Sequence, residues 1–189
     1  MYTVLGFNGS PRPNANTSRL IRAVLEGAAA AGAETRLHEL GDLALHGCTA
    51  CGTCRERAAC ALPDAFSALI PDLLNADAVV FGSPVYMWQV TGQAKTFMDR
   101  LRPVMNADFT TRLVKSPRLV TVFTQGQPDS TTYEDYFEHT EKLLQFLGFE
   151  HAQRLVATGT RGPDDILTHE HLLHSAREAG KTVAGSSRT

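Results

Sequence analysis

The chain has 189 residues, 43% of them hydrophobic and 20% charged, with a formal net charge of −2. Such a balance is ordinary for one globular domain with a sizeable core, and it leaves no electrostatic case for nucleic acid or an anionic membrane. No apolar run approaches the roughly 20 residues of a spanning helix and no charged-then-apolar leader opens the chain, so the expected compartment is the cytoplasm.

Tyr2–Phe7 is an apolar run that predicts a buried strand. A polar turn over residues 8–18 follows. It feeds a helix from Thr17 to about Ala31, with Leu20, Ile21, Val24, Leu25 and Ala28 at helical spacing and Gly32 as its stop. Glu34–Leu40 alternates as a charged edge strand would. Gly41–Leu62 is a long irregular connection holding all 4 cysteines. Asp64–Asn75 predicts a helix that Pro71 should kink or split. Ala76–Phe81 is a short third strand, ended by Gly82-Ser83-Pro84. Thr91 to about Arg102 is helical, with Pro103 ending it. Arg118–Phe123 is the fourth strand and runs into the turn Thr124-Gln125-Gly126-Gln127-Pro128. Thr131–Leu147 is helical, Glu150 to about Thr158 is the fifth strand, and Asp164 to about Val183 is the last helix. Residues 1–184 make one domain without repeat or linker, and 185–189 should be a disordered tail.

Strands alternating with helices in this way imply an α/β fold, an open five-stranded parallel sheet with helices on both faces. Ligands of such sheets bind beyond the C-terminal strand ends, where strand order reverses. The loops after strands one, three and four (8–18, 82–90 and 124–130) should therefore converge, and all three are unusual in composition.

In the first loop, Ser10, Asn16, Thr17 and Ser18 offer hydrogen-bond donors and Arg12 a charge, just before a helix N-terminus. Free first-turn N–H groups and the helix dipole make such a place suited to phosphate. Neither a Gly-Lys-Ser/Thr loop nor a G-x-G-x-x-G fingerprint is present. In the second loop, Tyr86 and Trp88 are suited to a planar ring, whereas Val85 and Met87 serve equally as core or interface residues. Phosphate cradle and ring-lining loop together indicate a mononucleotide. FMN fits better than a dinucleotide, because the first turn lacks the glycines that let a pyrophosphate approach.

The cysteines are Cys48, Cys51, Cys54 and Cys60, spaced C-x2-C-x2-C-x5-C within the loop at 46–62. Fe–S clusters are held by sets of four thiolates, and the first three match the start of a ferredoxin-type run. Zinc sites more often split their ligands into two separated pairs. Free thiols or a reversible disulfide remain the alternative. His46, two residues before Cys48, is placed to contact a cluster or flavin. His139, His151, His169, His171 and His174 read as helix-face residues. Lys95 and Asp99 form an i,i+4 helix pair, and with Arg100 they read as packing or subunit-contact residues outside the site.

Gly9-Ser10-Pro11-Arg12 with Asn14-x-Asn16-Thr17-Ser18, then Gly82-Ser83-Pro84-Val85-Tyr86, then Lys95-x-Phe97-x-Asp99-Arg100, resembles the flavodoxin-like NAD(P)H-dependent FMN reductases, and within them the iron–sulfur flavoproteins. The resemblance runs from Val4 to about Gly159. It implies that Ser10, Arg12, Asn14, Asn16, Thr17 and Ser18 surround the FMN phosphate, that Pro84, Val85, Tyr86, Met87 and Trp88 line the ring, and that Thr124, Gln125 and Gly126 edge it. It implies a [4Fe-4S] cluster on the four cysteines, NAD(P)H as co-substrate, and a homodimer or homotetramer. The acceptor would be a small molecule or a redox protein. A cluster-free flavin or quinone reductase and a flavodoxin-like electron carrier are the competing functions, although −2 is mild for a carrier that docks by charge. Hydride transfer needs no side-chain acid or base, so no catalytic residue is named.

Overall fold

Strands whose two faces are both apolar belong in the middle of a parallel sheet covered by helices. The computed structural model, which describes residues 1–185, places them there. β1 (Thr3–Asn8), β2 (Glu34–Glu39), β3 (Ala78–Tyr86), β5 (Arg118–Thr124) and β6 (Glu150–Ala157) are parallel, in the order β2-β1-β3-β5-β6. β4 (Gln89–Val90) folds back antiparallel on the end of β3. The central strands are almost wholly buried, while the more polar β2 and β6 take the edges.

α1 (Asn16–Ala30) and α6 (Glu170–Gly185) cover one face, packing Leu20, Ile21, Val24 and Ala176 against Val4, Val80 and Val122. α3 (Phe66–Asn75), α4 (Gly92–Asp99) and α5 (Glu134–Phe146) cover the other, around Phe7, Phe81, Phe97, Phe123 and Phe137. α1 and α6 cross so closely that a Cβ on Gly180 would lie 1.9 Å from the Val24 carbonyl oxygen. A short α2 (Thr53–Glu56) sits inside the cysteine-bearing connection.

Several predicted boundaries are corrected. β3 does not stop at Phe81. It continues through Gly82, Ser83 and Pro84, paired with Val122, Phe123 and Thr124 of β5. Gly82 serves packing rather than a turn: a Cβ there would lie 2.6 Å from Ile21 Cδ1 and displace that side chain. Beyond Gly82, β1 has ended and β3 keeps a parallel neighbour only on the β5 side, which makes Pro84 tolerable. The predicted ring loop is therefore a strand end and a tight hairpin. Pro71 lies inside a continuous α3 that starts at Phe66. α4 ends at Asp99, and Pro103 belongs to a separate 3₁₀ turn, Arg102–Val104. The last helix starts at Glu170 after a 3₁₀ turn at Asp165–Thr168. Gly185, predicted as tail, is the final residue of α6; residues 186–189 lie outside the described residues.

Candidate functional site

β1 ends in Asn8, whose buried side chain shapes the turn that follows. Its Oδ1 accepts the Ser10 N–H at 3.1 Å and its Nδ2 donates to Glu39 at 2.5 Å. The Thr91 hydroxyl donates to the Gly9 carbonyl at 2.5 Å, and the Arg12 N–H is held by Ser10 Oγ at 3.1 Å. The turn is thus fixed by β2 and by the start of α4 before it reaches α1. α1 then begins with no side-chain cap and no acidic residue in its first turn. Its leading N–H groups and dipole remain available to an anion.

A cleft of about 160 Å³ opens at this point, beyond the C-terminal ends of the strands. Ser10, Arg12, Asn16 and Thr17 form one wall, Pro84, Val85 and Tyr86 the second, Thr124 and Gly126 the third. Thr17 Oγ1 and Thr124 Oγ1 meet at 2.8 Å and join the first and third walls. A fourth wall, Thr160 and Arg161 after β6, is absent from the sequence reading. Its signal is present in Thr158-Gly159-Thr160-Arg161-Gly162, which is as rich in glycine, hydroxyl and charge as the other loops. Thr160 donates to the Gln125 carbonyl from both N–H (2.9 Å) and Oγ1 (3.1 Å), and Asn16 Nδ2 donates to the Gly162 carbonyl at 2.7 Å.

Other candidate residues face elsewhere. Asn14 is a left-handed turn residue (φ 63°) whose carbonyl accepts from Arg19. Ser18 is buried against Glu39 (3.3 Å) and Arg22. Gln125 is buried behind the third wall, donating from Nε2 to the Asp129 carbonyl at 2.7 Å, with its Oε1 unpartnered. Met87 and Trp88 form the hairpin tip, 87% and 67% exposed, and Trp88 meets Tyr133 edge-on at 6.4 Å. The polar groups of this cleft match a phosphate monoester: an uncapped helix start, the hydroxyls of Ser10, Thr17, Thr124 and Thr160, and the guanidinium groups of Arg12 and Arg161.

The cysteines meet at a second cavity, also about 160 Å³. Cys48, Cys51, Cys54 and Cys60 all line it, together with Arg100, Arg102 and Pro103. Gly52 (φ 82°) turns the chain into α2. Arg112 ties the loop down by donating to the Cys54 carbonyl (2.9 Å) and the Arg55 carbonyl (3.1 Å). Hydrogen bonds from Thr53 pull the Cys51 thiol below its ordinary pKa. No three His, Cys, Asp or Glu side chains among the described residues group as they would about a single ion. A four-iron cluster takes four thiolates, the number of cysteines that line this cavity. His46 does not line this cavity; its exposed ring lies 3.4 Å from Asp64.

Arg100, read from sequence as a packing residue, belongs to this second site. It is fully buried, lies over the Phe66 ring at 4.4 Å, and pairs with Asp64. It also donates to the His46 carbonyl at 3.1 Å and to Cys60 Sγ at 3.2 Å. The Arg100 guanidinium holds the Asp64 carboxyl well below the usual carboxylate range. Lys95 and Asp99 form the expected exposed pair at 2.5 Å.

The family model for NADPH-dependent FMN reductases matches residues 2–126. An iron-sulfur flavoprotein of Methanocaldococcus jannaschii is 31% identical over 183 residues, 96% of this chain and 95% of that protein. The iron-sulfur flavoprotein of Methanosarcina thermophila is 33% identical over 97 residues, 51% of each chain, so the match spans about half of that relative. Among solved structures, an NAD(P)H:quinone oxidoreductase from Methanothermobacter marburgensis superposes with a TM-score of 0.75 at 18% identity, covering 97% of this chain and 96% of its own. An FMN-dependent NADH-azoreductase from Bacillus anthracis in complex with FMN gives 0.72 at 15% identity, covering 97% and 100%. The two structures share the flavodoxin-like fold with this chain. No helix of the described residues is long and apolar enough to cross a membrane.

Proposed function

The chain belongs to the NADPH-dependent FMN reductase family, and from that premise we propose that it binds FMN in the four-walled cleft and passes electrons from NAD(P)H, or from a reduced protein, to a small-molecule or protein acceptor. In this reading a [4Fe-4S] cluster on Cys48, Cys51, Cys54 and Cys60 shares the electrons. The observation that carries the proposal is the uncapped start of α1 facing a cleft with Arg12, Arg161, Thr17 and Thr124.

When bound, FMN supplies two-electron exchange with a nicotinamide and one-electron exchange with a cluster or acceptor. The chain's own residues bind and orient. Thr17, Ser10 and the first-turn N–H groups hold the phosphate, and Arg12 and Arg161 neutralise it. Pro84, Val85 and Tyr86 give the ring an apolar wall that excludes water. The exposed Met87-Trp88 tip, next in sequence to Tyr86, is the surface that a second copy would cover in a homodimer or homotetramer.

Titration of flavin-free protein with FMN and with riboflavin tests the reading. Charge-assisted hydrogen bonds of about 1.5–3 kcal/mol each predict FMN binding at least ~100-fold tighter than riboflavin, and bleaching of bound FMN by NAD(P)H. Equal affinity for the two flavins would remove the phosphate cradle from the cleft.

A further inference from the structure

A buried guanidinium is costly unless every charge and donor around it is matched. Arg100 directs its side chain into the protein from the C-terminal end of α4, although Lys95 and Asp99 on the same helix point to solvent. Asp64 balances its charge, and if that pair were its whole role no contact with a thiol would be needed. Yet Nη2 donates to Cys60 Sγ at 3.2 Å, while Nη1 takes both Asp64 and the His46 carbonyl. The planar fork therefore links both ends of the cysteine segment, His46 before Cys48 and Cys60 at its close, to one rigid group. Its Nε is buried without a partner, in a residue that lines the cysteine cavity. Cys60 is also the thiol set apart, six residues after Cys54, the last of the run that carries the other three.

We propose that Arg100 is a positioning residue of the cysteine cavity: it fixes Cys60 toward the other three thiols and supplies the buried positive charge against which a four-thiolate iron–sulfur group is held. The charge-setting half of the proposal rests on the cluster reading above; the positioning half does not. Potentials of such clusters follow net charge and hydrogen bonds to sulfur. Loss of the positive charge should therefore make reduction harder, and Lys, which keeps the charge without the fork, should shift the potential less.

The test has two parts. In iron-free protein, thermal unfolding of C60A, R100Q and the double variant is compared with wild type; R100K replaces R100Q in the cycle if R100Q does not fold. The expected result is a non-additive cycle, in which C60A lowers the melting temperature in wild type and has little effect once Arg100 is replaced. Additive effects would overturn the positioning role. In protein purified without oxygen, iron and sulfide per chain, midpoint potential and iron release to a chelator are measured for wild type, R100K and R100Q. The prediction is a more negative potential and at least tenfold faster release in R100Q, with R100K between it and wild type. An unchanged potential and release rate in R100Q would overturn the charge role. Wild type without iron but with a non-additive cycle would sink the cluster while the positioning role stands. Four irons with an additive cycle would do the reverse.

Discussion

Asn16 shows how little of a side chain's task is written in its type. As an amide at a helix start it reads as a phosphate donor, but its Nδ2 donates to the Gly162 carbonyl and its Oδ1 accepts the Ile166 N–H at 3.0 Å. That grip brings the segment after β6, and Arg161 with it, to the cleft. Arg161→Ala is expected to weaken FMN about tenfold, the loss of one charged hydrogen bond, and to leave riboflavin binding unchanged; parallel titrations of the two flavins check this. Ser18→Ala, by contrast, should change FMN affinity little, because Ser18 serves Glu39 behind the turn. Ser10, Arg12 and Thr17 were legible because strand, polar turn and helix are contiguous in sequence. Arg161 and Arg100 were not, since their partners lie 35 or more residues away and are set by strand order and by the path of the cysteine loop.

Two elements carry conflicts between local preference and the whole fold. The hairpin joining β3 and β4 places Met87 (φ 47°) and Trp88 (φ 67°) at both central positions, where a tight turn asks for Asn-Gly. Left-handed backbone in such residues costs of order 1–3 kcal/mol each and persists mostly at functional sites. The double change Met87→Asn, Trp88→Gly should raise the melting temperature and lower affinity for FMN or for a second copy. A gain in stability with both affinities intact would assign the tip no role. Gly82 and Pro84 hid this strand end, because both read as breakers until the packing against Ile21 and the end of β1 are known.

On the far side, α5 places Glu141 against β5 and β6. Burial pushes its carboxyl up, but bonds from Arg154 (2.5 Å) and Thr121 (2.6 Å) outweigh that and hold it below its ordinary value. A depressed folded value adds stability above the unfolded value, about pH 4.3, and that stability is lost as pH falls through the folded one. Glu141→Gln, which leaves Arg154 with Glu134 at 3.8 Å as its remaining carboxylate partner, should cost about 3 kcal/mol at pH 7. The gap to wild type should narrow below pH 4. Urea unfolding at pH 7, 5 and 3.5 measures it.

At the scale of the molecule, the alternation of strands and helices made the sheet and its ligand end legible, and the sheet order β2-β1-β3-β5-β6 gathers the predicted loops there. The fourth wall carries a local signal in its glycine, hydroxyl and charge, but only the sheet order brings it to the cleft; β4 is a local hairpin, hidden because its turn is Met87-Trp88 rather than Asn-Gly. The cysteine spacing named a chemistry, and the fold adds one cavity shared by all four thiols. Whether flavin and cluster share one chain is decided on protein purified without oxygen, with its visible spectrum, iron, acid-labile sulfide and released flavin measured on one sample. Flavin bands over a broad brown absorbance, with one FMN and about four irons per chain, are the expected result. Yellow protein without iron would contradict the cluster and leave a flavin-only reductase, and colourless protein unable to take up FMN would contradict the cleft as well.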